Sequence, residues 1–168
     1  IYERFELYLK DEDKLLDAGC GSGRDSKYFL EKRYDVTSFD GSKKLAERAS
    51  SFIGKNVLNM KFSQLKFKEE FNGIWACSSL IHLSRKAFVK VLSKFYDALK
   101  PEGYAYISLK YGESEIVKDG RIFTSYTQSL VKDIIETKTS FEIKEIWITS
   151  DKRKNRENEK WLNLILYK

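Results

Sequence analysis

Three glycines on alternate positions, Gly19, Gly21 and Gly23, follow a short apolar run and an aspartate in LLDAGCGSGRDSKYF, residues 15–29. Glycine lets the chain turn tightly and lets a ligand touch the backbone with no Cβ in the way. Asp17 stands just before these glycines, and Asp40 closes the stretch DVTSFD, with Gly41 directly after it. A carboxylate at the end of a second strand suits a pair of ribose hydroxyls, because it can accept from both. The ligand implied is nucleotide-like. It is not a dinucleotide: G-x-G-x-x-G counted from Gly19 requires glycine at position 24, where this chain has Arg24.

Other residues with chemical potential are few. His82, the single histidine, follows the apolar run GIWACSS in SSLIHL. It reads either as a general base or acceptor-positioning group, or as a packing residue at a helix start. Tyr111, Arg121, Phe123 and Tyr126 lie in one later segment. There Lys110 and Arg121 can hold an anionic substrate while the aromatics form a wall; ordinary loop packing is the alternative. Cys20 and Cys77 lack CxxC spacing, so they read as reduced, small buried fillers and not as zinc ligands. No Walker loop or paired-carboxylate motif competes.

The elements that position these residues alternate. Strand-like KLLDA (14–18) leads through the glycines into a helix near 24–33, and DVTSFD (35–40) leads through a Ser42 cap into a helix to about 52. NVLNMKF (56–62) is a weak third strand and GIWACSS (73–79) a buried fourth. Ser84 caps a helix in which Phe88, Val91, Leu92, Phe95 and Leu99 recur at threes and fours until Pro101 and Gly103. YAYISLKY (104–111) is the fifth strand, and Thr127 caps another helix. FEIKEIWITS (141–150) and KWLNLILYK (160–168) have no helix between them and should pair antiparallel. The fold class expected is α/β: a Rossmann-like α/β/α sandwich on a seven-stranded, mostly parallel sheet with an antiparallel last strand.

One domain over residues 1–168 accounts for this order, since the chain has one proline, no repeat and no linker. It begins at Ile1 inside an apparent helix, which leaves an upstream segment to be expected. The net charge is +6, but Lys and Glu are interleaved, and DKRKNRENEK (151–160) has acids among its bases and no aromatic. That stretch reads as a solvated loop before a nucleic-acid patch. Apolar runs such as LILY are too short to cross a bilayer, and no signal peptide opens the chain. A cytoplasmic protein with no membrane partner is expected; oligomeric state is left open.

The stretch D-A-G-C-G-S-G resembles the first motif of class I S-adenosylmethionine-dependent methyltransferases. GRDSKYFLEKRYDVTSFDGS, GIWACSSLIHL, ALKPEGYAYISLKYG and DGRIFTSYT extend the likeness to a group of small bacterial enzymes related to the tellurite-resistance and quinone-biosynthesis types. The resemblance implies S-adenosylmethionine as cofactor, S-adenosylhomocysteine as product, and methyl transfer to a small molecule. It implies that Asp17, Gly19, Cys20, Gly21 and Gly23 hold the methionine moiety, and that Asp40 and Gly41 meet the ribose. Ala76, Cys77 and Ser78 would lie under the methionyl part. Gln64, where the group commonly has Asp, would accept from the adenine amino group. Tyr111, Arg121 and Tyr126 are the candidate acceptor contacts, with His82 as base. Arg153, Trp161 and Asn163 also match the group without an assigned role, Trp161 reading as sheet core. The alternatives are a non-catalytic cofactor-binding module, or an RNA or protein substrate. ACSSLIHL lacks the proline-bearing signature of DNA amino-methylating enzymes. In many members of the group an upstream helix closes over the cofactor, and here it would lie outside the sequence.

Overall fold

The computed structural model describes all residues except 155 and 157. The described elements are α1 (Tyr2–Glu6), β1 (Lys14–Ala18), α2 (Arg24–Glu31), β2 (Asp35–Asp40), α3 (Lys43–Ile53), β3 (Leu58–Asn59) and β4 (Phe71–Cys77). They continue with α4 (Arg85–Ala98), β5 (Leu99–Tyr111), β6 (Glu115–Lys118), β7 (Arg121–Tyr126), α5 (Gln128–Lys138), β8 (Glu142–Ser150) and β9 (Lys160–Tyr167).

The local causes are those of the sequence. Ser42, Ser84 and Thr127 each accept a backbone N–H three residues on, at 3.4, 3.2 and 3.2 Å, so the three longest helices start on hydroxyl caps. Phe88, Val91, Leu92 and Phe95 give α4 one buried stripe. Parallel strands are buried on both faces, which is why β1 and β4 read as almost continuous apolar runs.

The main sheet runs β3-β2-β1-β4-β5-β9-β8. Its first five members are parallel, and β9 pairs antiparallel with both β5 and β8. Ile74, Ala76, Ile107 and Leu164 turn to one face, where α4 and α5 close the larger core. Leu15, Trp75, Tyr106 and Ile165 turn to the other, where Phe5 of α1 and Phe29 of α2 cover them. Because a hairpin and not a crossover helix joins β8 to β9, that second face has little to cover it beyond β4. Strand pairing lays two rows across it: Cys77, Ser108, Asn163 and Trp147, then Lys110, Trp161 and Thr149.

Three expectations need correcting. The third strand is two residues long, since the chain bends after Asn59 into a 3-10 turn over Phe62–Gln64. The fifth begins at Leu99, ahead of Pro101, with a register irregularity opposite Phe71 and Gly73 absorbing the proline. The segment after β5 is a hairpin, with β6 and β7 antiparallel and β7 joined to Lys110 and Tyr111. Among the described residues no helix is long and apolar enough to cross a membrane.

Candidate functional site

The glycine loop sits where the sheet order reverses, past the ends of β1 and β2. Gly19 and Cys20 both donate their N–H to the Phe39 carbonyl, at 3.0 and 2.9 Å. Asp40 then takes the Gly21 N–H on Oδ2 at 3.0 Å and the Ser42 N–H on Oδ1 at 2.8 Å. All three glycines have positive φ: 78° at Gly19, 58° at Gly21 and 87° at Gly23. A Cβ on Gly19 would stand 2.6 Å from Ser79 Cβ, whereas one on Gly21 would meet nothing within 4 Å. The first glycine is therefore fixed by packing as well as by φ, and the middle one borders open space. Each Asp40 oxygen keeps a further lone pair for a ligand hydroxyl.

Asp17 lies beneath this loop instead of facing the ligand side. It is buried, and Ser26 of α2 donates its hydroxyl to Oδ2 at 2.5 Å, while Ser38 donates to Ser26 at 2.9 Å. Burial pushes its carboxyl up to about 7. Asp25, which sequence reasoning did not single out, behaves oppositely. Burial alone would raise it too, but Arg24 Nε, the Tyr2 hydroxyl and Trp75 Nε1 donate to it at 2.6, 2.6 and 2.8 Å and together hold it below the usual carboxylate range. This carboxylate pins α1 to α2 and β4.

The remaining cofactor candidates divide. Gly41 is exposed after β2. Gln64 is exposed on the 3-10 turn, its Oε1 already accepting the Lys61 N–H at 2.7 Å, which leaves one acceptor position and the amide N–H groups. Cys20 packs, partly buried, against the cluster of Ala46, Ala49 and Val57. Ala76 is fully buried in the larger core, so its side chain faces the core and only its backbone is left to meet a ligand. Cys77 and Ser78 are half-buried and stay at the opening. Ser78 has φ 55°, and its N–H donates to Ser108 Oγ at 2.8 Å, a constrained turn that hands the chain from one side of the site to the other.

Beyond Ser78 lies a cavity of 1570 Å³ over the uncovered sheet face. Its floor is Tyr106, Ser108, Lys110, Trp161 and Asn163, and its sides include Trp147, Phe123 of β7, and Asp151, Arg153, Arg156 and Glu159. It does not extend over the glycine loop; Arg24, Cys77 and Ser78 are where it approaches the cofactor side.

Of the residues expected to meet an acceptor, Lys110 and Phe123 line this cavity, and Tyr111, Arg121, Tyr126 and His82 do not. Tyr126 is fully buried against Phe88 and belongs to the core. Tyr111 is exposed past the end of β5, and Arg121 is exposed at the hairpin tip. His82 is also outside: its Nδ1 lies 3.0 Å from the Ile122 carbonyl, which requires a proton on Nδ1, and its exposed ring meets Phe123 edge-on. Its geometry is that of a strut for β7. Conversely, Arg153, Trp161 and Asn163 do line the cavity. Trp161 is half-buried, with Nε1 donating to Asp151 at 3.0 Å, and is not sheet core. Asn163 is fully buried, receiving the Tyr106 hydroxyl at 2.7 Å and donating to Thr149 at 3.0 Å. A polar residue at the centre of the apolar run WLNLILY was the signal available for it.

This donor set fits an adenosine-bearing sulfonium cofactor: a bare loop bordering open space, a carboxylate with two remaining acceptor positions, and an exit at Ser78 toward a separate cavity. A family model for a methyltransferase domain matches residues 15–103, more than half of the chain. The ubiquinone biosynthesis O-methyltransferase of Rickettsia typhi is 29% identical over 114 residues, covering 64% of this chain and 46% of that protein. The chain spans less than half the length of the curated relatives it matches. Two crystal structures share its fold. The Burkholderia thailandensis 1,6-didemethyltoxoflavin-N1-methyltransferase, with 1,6-didemethyltoxoflavin and S-adenosylhomocysteine bound, has TM-score 0.84 at 20% identity over 99% of this chain and 75% of that one. A Methanosarcina mazei S-adenosylmethionine-dependent methyltransferase has TM-score 0.86 at 18% identity over 100% and 98%. With its glycine loop, its strand order and this match over most of the nucleotide-binding half, the chain belongs to the class I S-adenosylmethionine-dependent methyltransferases.

Proposed function

We propose that the chain transfers a methyl group to a small-molecule acceptor held in the cavity above β5, β9 and β8. The observation that carries this reading is the adjacency of two sites of different character. One is a backbone-lined loop with Asp40 at its edge; the other is a walled cavity beginning at Cys77 and Ser78. S-adenosylmethionine supplies a methyl group that is already electrophilic on its sulfonium, so the protein's work is positioning. Gly19, Gly21 and Gly23 admit the ligand to the backbone, Asp40 accepts from the ribose, and the Ser78–Ser108 pair fixes the edge of the acceptor cavity. Asp17 supports the loop from below through Ser26. Gln64 retains one acceptor position toward an adenine amino group.

Calorimetry with S-adenosylmethionine, S-adenosylhomocysteine and NAD tests the cofactor assignment. Both sulfur ligands should bind and NAD should not; the reverse would overturn it. Release of S-adenosylhomocysteine across a panel of small molecules and tRNA then tests the acceptor class. Tight cofactor binding with no turnover on any of them would favour a non-catalytic module, and turnover on tRNA alone would replace the small molecule.

A further inference from the structure

Asp151, Lys152, Arg153, Arg156 and Glu159, from a stretch that reads in sequence as a solvated charged loop, line one wall of the cavity, and this bears on what the cavity holds. Among the described residues, seven Lys or Arg side chains line it against three carboxylates. Asp25 and Glu145, just behind the wall, pair with Arg24 and Arg4, and cations still remain in excess. Lys118 on β6 enters from the opposite wall.

The floor is flat and aromatic as well as basic. Trp147 and Trp161 lie on the same face of neighbouring strands, offset by one register step. Each indole carries a cation: the Arg4 guanidinium carbon is 4.0 Å from the Trp147 ring centre, and Lys110 Nζ is 5.0 Å from that of Trp161. Between them Asn163, Thr149 and Ser108 offer neutral polar atoms. A planar ring laid on this surface meets the indoles beside these cations, which also pair with carboxylates, Arg4 with Glu145 and Lys110 with Glu159, so the excess of basic residues over acidic ones along the lining is what an anionic substituent would meet.

The acid–base inventory points the same way. Glu159 is held below its ordinary range by its hydrogen bond from Lys110, and Asp151 by Arg153, its side chain donating from Nη2 at 2.5 Å. Burial raises the Cys77 thiol, so it stays protonated. So held, neither of these carboxylates nor the thiol stands ready to take a proton near neutral pH. An acceptor that arrives already ionised needs none.

We propose that the acceptor is a flat organic anion, an aryl or heteroaryl carboxylate or an acidic phenol or enol, methylated on the ionised atom. This rests on the methyltransferase reading. The oxyanion's lone pair forms the new bond to the methyl carbon, the carbon–sulfur bond breaks with its electron pair on sulfur, and no proton moves. An anion and a sulfonium become two groups without those charges.

Three probes differing only in head group test the charge preference: 2-naphthoate, 2-naphthamide and 2-naphthylmethylammonium, each titrated with S-adenosylhomocysteine present and absent. Calorimetry and quenching of tryptophan fluorescence are the readouts. Naphthoate should bind about tenfold tighter than the amide, the ammonium should bind weakest, and the preference should shrink at high salt. Lys118→Gln, on the exposed hairpin, and Arg153→Gln should each weaken naphthoate several-fold and leave S-adenosylhomocysteine affinity unchanged. Equal or tighter binding of the ammonium, or naphthoate affinity untouched in both variants, would overturn the proposal. If S-adenosylhomocysteine fails to bind while naphthoate still does, the methyltransferase reading falls and the anion site stands; the opposite pattern sinks the anion site alone.

Discussion

Asp17 and Asp40 are carboxylates at the ends of adjacent strands, and their surroundings give them different work. Asp40 sits at the rim, each oxygen bonded to one backbone N–H and open to one more donor. Asp40→Ala should weaken S-adenosylhomocysteine binding by roughly 10- to 100-fold in calorimetry, since a charge-assisted hydrogen bond is worth about 1.5–3 kcal/mol and the loop also loses its anchor at Gly21. Asp17 is buried and, among the described residues, its hydrogen bonds come from the Ser26 hydroxyl and backbone and not from a cation, with the Ser38 hydroxyl behind Ser26. Its carboxyl keeps a proton to about pH 7 in the folded chain, against an ordinary value of 3.8. Between those values Asp17 binds more proton in the native state than in the unfolded one, so its own contribution to stability falls as pH rises from about 4 to about 7 and then levels off. The loss is a few kcal/mol, about 4 at most. Asp17→Asn should flatten that slope in urea titrations at several pH values and leave the variant more stable than its parent at pH 8. The same slope in both proteins would show that Asp17 ionises in the fold. Both aspartates were legible from spacing alone. That one is a rim contact and the other a buried strut was not, because this depends on Ser26 and Ser38, whose hydroxyls carry no such signal in sequence.

Elements were legible wherever a cap and a period coincided, as at Ser84, where the hydroxyl begins the buried stripe of Phe88, Val91, Leu92 and Phe95. The β6–β7 hairpin was missed although its signal is present. Asp119 and Gly120 have φ of 50° and 72°, the pair of left-handed residues that a two-residue hairpin turn needs, and Asp-Gly is the dipeptide that supplies it. What obscured it is β6, whose four residues are all exposed and show no alternation. The same reading shaped the acceptor candidates: with 111–126 read as a loop, Tyr111, Arg121 and Tyr126 stood for the whole segment, and none of the three lines the cavity. As a hairpin, it turns Tyr126 into the core and carries Arg121 to the tip. Gly120→Val places a β-branched side chain at positive φ, a cost of about 1–3 kcal/mol confined to this element. Hydrogen-exchange protection should fall over 115–123 while the global urea midpoint stays within error. A large shift in the midpoint would mean that the hairpin is part of the cooperative core.

On the scale of the whole molecule, the two ends of the chain meet on the face that the β8–β9 hairpin leaves open. A helix of five residues such as α1 has no stability of its own. It is held because Phe5 is completely buried among Phe29, Trp75 and Tyr106, and because Tyr2 stacks on Trp75 and Tyr28. Tyr8 and Arg4 both donate to Glu145 on β8, ties that span 137 and 141 residues of sequence. The segment thus closes the lower part of this face, and the cavity lies beside it, with Tyr2 and Arg4 in its lining. Sequence could place the hairpin, but not the packing of α1 against this face. Phe5→Ala should therefore cost about 3–5 kcal/mol, as for a phenylalanine removed from a packed core. Leu7→Ala, two residues on and 81% exposed, should stay within about 0.5 kcal/mol. Urea unfolding followed by tryptophan emission measures both, since Trp75 lies directly against Phe5. If Phe5→Ala cost no more than Leu7→Ala, α1 would be an ornament on a complete sheet, and the boundary it gives the cavity would have to come from elsewhere.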